Sequence, residues 1–416
     1  MRTTVSIDKL VHGGQGLASL ADGRKVFVWN ALPGETVEIR LIKSKRSYAE
    51  AIAEEIITSS ADRIKPREEN YLATSPWQIM SFDHENQAKQ AIVTELFMGA
   101  HVELPNFELT HGSEEWRYRN KMEYSFWGDE QGLHLALHQR GSHGKDIVQG
   151  SELALTAVDE GARAVLAELN QRPLRAGDLK TVIVRANQAG EVVAALFVKL
   201  DSFKELDLPA GLKGLRVYFS NPKSPASVPT RLLQTLGDVT LQDELLGEPF
   251  SYTVDSFFQV NIPVFESALT KMKHYCQDKL VIDMYAGVGS IGLSLAQEAV
   301  TLVELDPASA AMARLNATSS SLRTEVIETS SEKALDYISA SRTVIFDPPR
   351  AGLHAKIIDR LLEIMPPKIL YLSCNPSTQA RDLAKLQTSY EITYFEVFNF
   401  FPRTPHIETL AILEKS

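Results

Sequence analysis

Two residues near the C-terminal end, Cys374 in the run SCNP and Glu408 in the run HIE, are of the types that carry out covalent catalysis and proton removal. A lone cysteine closing an apolar strand is ordinarily inert packing, so its company decides the reading. Upstream, VIDMYAGVGSIGLSLA (281–296) is an apolar run that breaks at Asp283 and reopens through Gly287, Gly289 and Gly292, in the manner of a strand, a tight turn and a helix. Its GxGxxG spacing suits a dinucleotide as well as S-adenosylmethionine, and Glu304 in LVELD stands where an acid would hold a ribose in either case. Together these groups fit methyl transfer to C5 of a pyrimidine. That ring carbon is too electron-poor to attack a methyl group directly. A Cys374 thiolate adding to C6 would make C5 enolate-like, able to displace a methyl from a sulfonium, and Glu408 would then remove the C5 proton so that the thiol is eliminated. A free thiol with a pKa of about 8.5 is only a few per cent ionised at neutral pH. Some neighbouring cation or donor must therefore favour the thiolate, and the sequence does not name it.

The elements that must position these residues follow the glycine turn in regular order. VTLVEL, TEVIETS, TVIFDPPR, KILYLSCNP, YEITYFEVF and HIETLAILE read as strands separated by helices, which implies an α/β, doubly wound and mainly parallel sheet. Ligands of such sheets sit beyond the carboxyl ends of the strands, where Asp283, Glu304, Asp347 and Cys374 fall. DPPR (347–350) and SCNP (373–376) close their strands with rigid proline turns. Before the glycine turn, SYTVDSFFQVN offers Gln259 as a polar candidate, with Phe257 and Phe258 read as packing residues.

The chain before residue 251 reads as two further parts. Residues 1–58 alternate apolar and polar positions in short runs (TTVSI, KVFVW, TVEIRLI) broken by HGGQG, ADG and ALPGE, the signature of a small antiparallel barrel. The loop KSKRSY sets cations beside Tyr48, which fits an OB-like surface for single-stranded nucleic acid or, more plainly, a solvated hairpin tip. Residues 59–250 hold a polar linker, a helix over FDHENQAKQAIVTELFMGA whose apolar face (Ala88, Ala91, Ile92, Leu96, Met98) implies packing on a neighbouring domain, and a β-rich central part. There WRYRNK alternates Arg117, Arg119 and Lys121 with Trp116, Tyr118 and Asn120, a strip for phosphates and a stacked base or a merely solubilising strand edge. His134, His138 and His143 are not spaced for a metal.

With 416 residues and a formal charge of −10, the chain is not one that coats nucleic acid by bulk charge. The first 50 residues are an exception, with eight Lys and Arg against five Asp and Glu. Cys276 and Cys374 are the only cysteines, too few for a disulfide framework or a cysteine-ligated metal centre. Neither a signal-type h-region nor an apolar run of about 18 residues occurs, so the cytoplasm is the expected location.

The ordered runs SFFQVN, DMYAGVGS, VELDPA, DPPRAG, YLSCNPSTQARDL and FFPRTPHIETLAIL resemble the RNA uracil-5-methyltransferase family. GGQGLA, ALPGE and KSKRSYAEA resemble its N-terminal TRAM domain. The resemblance implies a Rossmann-like class I methyltransferase domain at 251–416, a TRAM-like OB barrel at 1–58 and a central domain at 59–250, the latter two binding RNA. It implies that Gln259, Tyr285, Glu304 and Asp347 line the S-adenosylmethionine site, with Ser290 and Ser330 as further cofactor contacts, Cys374 as nucleophile and Glu408 as base. Many relatives hold a [4Fe–4S] cluster on four cysteines between the barrel and the catalytic part; YLATSPWQIMSFDHENQAK has none, and Trp77 stands where a ligand would. No iron–sulfur cluster is expected, and apolar packing around Trp77 is the expected replacement. Ribosomal RNA is favoured over transfer RNA as partner, with no membrane partner, and the protein is expected to be a monomer. The competing readings are a nicotinamide-dependent oxidoreductase, which gives SCNP, HIE and the barrel no role, a non-catalytic RNA-binding protein, and a cytosine methyltransferase.

Overall fold

The computed structural model describes residues 2–224 and 226–416. The N-terminal sheet takes six strands, Arg2–Ser6, Lys9–Leu10, Gly16–Ser19, Lys25–Trp29, Thr36–Ser44 and Tyr48–Thr58. Their alternating residues close on a small core of Val5, Val26, Val28, Val37, Ile39 and Ala51. One pair departs from the expected antiparallel pattern, since Lys25–Trp29 runs parallel to Tyr48–Thr58. Alternation fixes which face is buried, not the direction of the neighbouring strand.

The second sheet has seven strands between Lys121 and Gly237, with the edge strand Lys145–Ile147. The helix Thr156–Asn170 covers one face through Val158, Ala162, Val165 and Leu169. The hairpin Thr240–Leu245 and Glu248–Thr253 covers part of the other, where Val193, Ala195 and Phe197 meet Leu241, Phe250 and Tyr252.

The third sheet is ordered Arg323–Glu328, Ala299–Glu304, Leu280–Asp283, Thr343–Phe346, Lys368–Ser373, Glu408–Lys415, Tyr390–Asn399 and Leu109–His111. The first five strands are parallel and the sixth runs antiparallel to Lys368–Ser373. The order reverses at Leu280–Asp283, the switch point at which such sheets open a crevice. Because the sixth strand is antiparallel, its first residue, Glu408, lies at the edge where the parallel strands end.

The boundary at residue 250 does not follow these layers. Leu109–His111 pairs with Tyr390–Asn399 and covers the edge of the catalytic sheet. The helix Phe82–Gly99 adds Ile92, Val93 and Phe97 to the core that contains Leu383, Leu386 and Phe395. Its buried face is not the one that apolar spacing selects: Met98 is exposed, whereas Glu85, Asn86 and Lys89 are buried.

Candidate active site

The glycine turn is shaped by backbone and closed by a carboxylate. Gly287 and Gly289 have φ of 55° and 86°, the left-handed region that glycine enters without steric cost. At Gly292 a Cβ would come within 2.6 Å of Leu302 and 3.1 Å of the Asp283 Cβ, so the helix Ser290–Leu295 approaches the sheet closely only because that side chain is missing. Asp283 accepts from the Gly292 and Tyr285 N–H groups at 3.0 and 3.3 Å. It is fully buried and clamps the turn rather than facing the crevice, and burial pushes its carboxyl up to about 7.

Above the strand ends lies a cavity of about 1240 Å³, large enough for a nucleoside-sized ligand and a further base. Gln259, Tyr285, Glu304, Ser330, Asp347, Cys374 and Glu408 all line it. Glu304 is held by the N–H groups of Gly287 at 2.8 Å and Asp306 at 2.6 Å, leaving acceptor positions for the hydroxyls of a ribose. The Gln259 side-chain amide donates to Asp347 at 3.3 Å. Burial, and then the Asp283 charge, hold the Asp347 carboxyl above its ordinary range. The Ser330 Oγ and a Glu408 carboxylate oxygen are buried without a hydrogen-bond partner among the described residues. Buried polar atoms are seldom left unpaired, so both fit partners supplied by a ligand. The donor set thus suits an adenosine-type cofactor.

Cys374 also lines the cavity and is half-buried at the turn that follows Lys368–Ser373. Burial, then the Glu408 and Asp347 charges, push its thiol up to about 12, and only Arg350 among the neighbouring charges pulls the other way. Arg350 is therefore the cation that favours a Cys374 thiolate. Its carbonyl accepts from the Asn375 side-chain amide at 2.8 Å, which ties the DPPR turn to the SCNP turn. Burial and Asp347 hold the Glu408 carboxyl well above the usual range, again opposed by Arg350. His406 also lines the cavity, with Nδ1 3.4 Å from the Arg350 guanidinium. Arginine can only donate, so Nδ1 is the acceptor and the ring proton sits on Nε2. Burial and then Arg350 push the His406 imidazolium down to about 3, so the ring is neutral at any working pH.

The cavity does not gather every expected residue. Ser290 opens the short helix and does not line it. WRYRNK is not a strand face, since the strand begins at Lys121 and Arg117 has φ of 54°. Arg117 is bound by Glu152 at 2.7 Å and Asp159 at 2.9 Å, and Trp116 lies beside the guanidinium groups of Arg67 and Arg403. Only Arg119 of that run reaches the cavity. The two phenylalanines also part: Phe258 is buried and stacks on Tyr252 with centroids 4.1 Å apart, whereas Phe257 is 59% exposed and lines the cavity. Arg119 was among the cations that sequence reasoning singled out, whereas Phe257, Arg350 and His406 are wall residues that it missed. Each stands beside a residue it did select, but nothing in residue type marks a neighbour as facing the same crevice.

In the barrel, Lys43, Lys45 and Arg46 of the KSKRSY loop are all exposed, with Lys43 paired to Glu50 at 3.0 Å, and Tyr48 packs edge-on against Phe27.

A strand-end cavity with a glycine turn, a ribose-type acid and a cysteine opposite a buried glutamate defines a class I methyltransferase site. Residues 240–416 match the family model described as tRNA (Uracil-5-)-methyltransferase, and residues 2–53 match the TRAM domain. Over these residues the chain is similar to the RNA uracil-5-methyltransferase family. It is 27% identical to an RNA methyltransferase of Enterococcus faecalis, over 99% of this chain and 97% of that protein. It is 26% identical to one of Thermotoga maritima, over 100% and 99%. Its fold is that of the Pyrococcus abyssi tRNA (uracil-54, C5)-methyltransferase, solved in complex with S-adenosyl-L-homocysteine, with a TM-score of 0.77 at 23% identity over 99% of this chain and 100% of that one.

Proposed function

We propose that this RNA uracil-5-methyltransferase acts by transient addition of Cys374 to C6 of its target uridine, with Glu408 as the base. The observation that carries this reading is that Cys374, Glu408 and Arg350 line the same cavity as Glu304 and Asp347. When bound, S-adenosylmethionine supplies an electrophilic methyl group and a positive charge. Gln259, Tyr285, Glu304, Ser330 and Asp347 hold that cofactor. Cys374 sulfur forms a bond to C6 and the ring electrons move to C5, which takes the methyl. Glu408 accepts the C5 proton, and the electron pair left behind expels the sulfur, restoring the pyrimidine and the thiolate. Arg350 favours the charged forms of both groups, against burial that disfavours them.

We place the target in ribosomal RNA, on the support of the TRAM barrel; transfer RNA is the second reading, which the family description favours. We read the protein as a monomer and assign it to the cytoplasm. RNA carrying 5-fluorouridine at the target should become covalently joined to the enzyme, because fluorine cannot leave as a proton does. The Cys374→Ser variant should form no adduct and lose methylation by at least about a thousandfold. Full activity of that variant would overturn the mechanism. Mapping 5-methyluridine in RNA from cells lacking the gene decides between the two RNA classes.

A further inference from the structure

Residues 400–407 join the last two strands and carry Glu408 to the cavity, yet they form no regular structure, and Arg403 sits at φ of 65°. A segment of that kind holds its shape only if its backbone groups are bound from outside. Here they are. The Glu85 carboxylate accepts from the Arg403 N–H at 2.9 and 3.0 Å. The Phe401 carbonyl accepts from the Lys89 ammonium at 3.1 Å, and the Pro402 carbonyl from the Tyr118 hydroxyl at 2.9 Å. The Arg403 carbonyl accepts from the Trp77 N–H at 3.2 Å. Behind these, Lys89 pairs with Glu85 at 2.9 Å and donates to Asn399 at 2.6 Å, all three groups being fully buried.

A buried ion pair is weak evidence for stability, because apolar residues of similar volume commonly do as well. What apolar residues could not do is hold these backbone groups. The barrel closes the arrangement: the Gly14 carbonyl accepts from the Trp77 indole at 3.0 Å, and a Cβ on Gly14 would lie 2.4 Å from the Pro405 Cβ, next to His406.

We propose that Glu85 and Lys89, backed by Trp77 and Gly14, are positioning residues that set the placement of Glu408 for removal of the C5 proton. This rests on the reading of Glu408 as the base. It gives the helix Phe82–Gly99 and the barrel loop a part in the reaction, although neither reaches the cavity.

The two halves of the reaction separate the proposal from a general loss of structure. Capture of 5-fluorouridine RNA requires Cys374 but no proton removal, whereas turnover on uridine requires both. In Lys89→Met and Glu85→Gln, capture should stay within about threefold of the unaltered enzyme. Multiple turnover should fall by about tenfold or more, covalent adduct with ordinary RNA should accumulate, and the isotope effect of 5-deuterated uridine should grow. Gly14→Ala, outside the buried pair, should give the same pattern should the others fail to fold. Equal loss of capture and turnover, or unchanged turnover, overturns the proposal. Glu408→Gln is the control: it should trap adduct with turnover abolished. Normal turnover in that variant would refute the base assignment itself, whereas adduct trapped there but not in the cage variants would refute the cage alone.

Discussion

Cys374, the proposed nucleophile, sits in surroundings that oppose its ionisation. Two carboxyl groups and burial raise the Cys374 thiol to about 12, and Arg350 is the counterweight. A raised thiol pKa means that the thiolate fraction grows with pH throughout the neutral range, by close to tenfold per unit. Iodoacetamide modification of Cys374 in the free enzyme should therefore be slow at pH 7 and rise steadily to pH 9, with no plateau. Arg350→Gln should lower the whole profile. Cys276 is buried, its own thiol pushed up to about 11, and does not contribute. A plateau below pH 8, read from the rate of label uptake in wild type against Cys374→Ser, would contradict this account. The buried carboxyls follow the same logic in reverse. A folded pKa raised above the unfolded one means that the group's contribution to stability is fully present below its unfolded pKa and is lost as pH rises through the folded value, so Asp283 favours the fold less above about pH 7.

Among the elements, the last strand pair and the glycine turn decide where these groups meet. An antiparallel sixth strand brings its first residue, Glu408, to the edge at which the parallel strands deliver Asp347 and Cys374. A parallel strand in that place would have carried it to the opposite edge. The glycine turn depends on close contact between helix and sheet. Gly292→Ala would gain up to about 1 kcal/mol of helix propensity but force a methyl against Leu302, Val300 and Asp283, which costs about 1–3 kcal/mol in a filled core. Since Leu302 is fully buried and has no space to swing into, the clash should win. The variant should melt a few degrees lower and bind S-adenosylhomocysteine more weakly by calorimetry, and a higher melting temperature would show the contact to be soft.

At the scale of the whole molecule, the barrel, the helix Phe82–Gly99 and the third sheet meet at the segment that precedes Glu408. Trp77 is 1% exposed and lies in the same core as Met80, Phe97 and Tyr371, with its indole bound to the barrel. Beside it, Gln78 donates to Glu68 at 2.7 Å, and Glu68 accepts from the Glu152 N–H at 2.7 Å, linking the linker to the central part. The apolar packing around Trp77 is thus accompanied by a hydrogen-bonded seam. Trp77→Ala should cost about 3–5 kcal/mol in urea unfolding and loosen the barrel to proteolysis. A loss under 1 kcal/mol would mean that the seam does not depend on it.

Much of the catalytic part was legible in the chain itself. The glycine turn, the alternation of strands and helices, and the acid, proline and cysteine residues at strand ends are encoded locally, because turn chemistry and side-chain periodicity act over a few residues. Arg350, His406, Phe257 and the Glu85–Lys89 pair were not legible. Their roles depend on which side chains meet across separations of up to about 300 residues, and on burial that turns an ordinary helix-surface pair into a fixed hydrogen-bonding frame. WRYRNK shows the converse: its alternation promised an open strip of cations, but tertiary contacts spent Arg117 on Glu152 and Asp159 and left Arg119 to the cavity. Residue types and spacing set what chemistry this chain can perform. Packing alone decided which charges face one another in a medium of low dielectric, and so which groups are able to perform it.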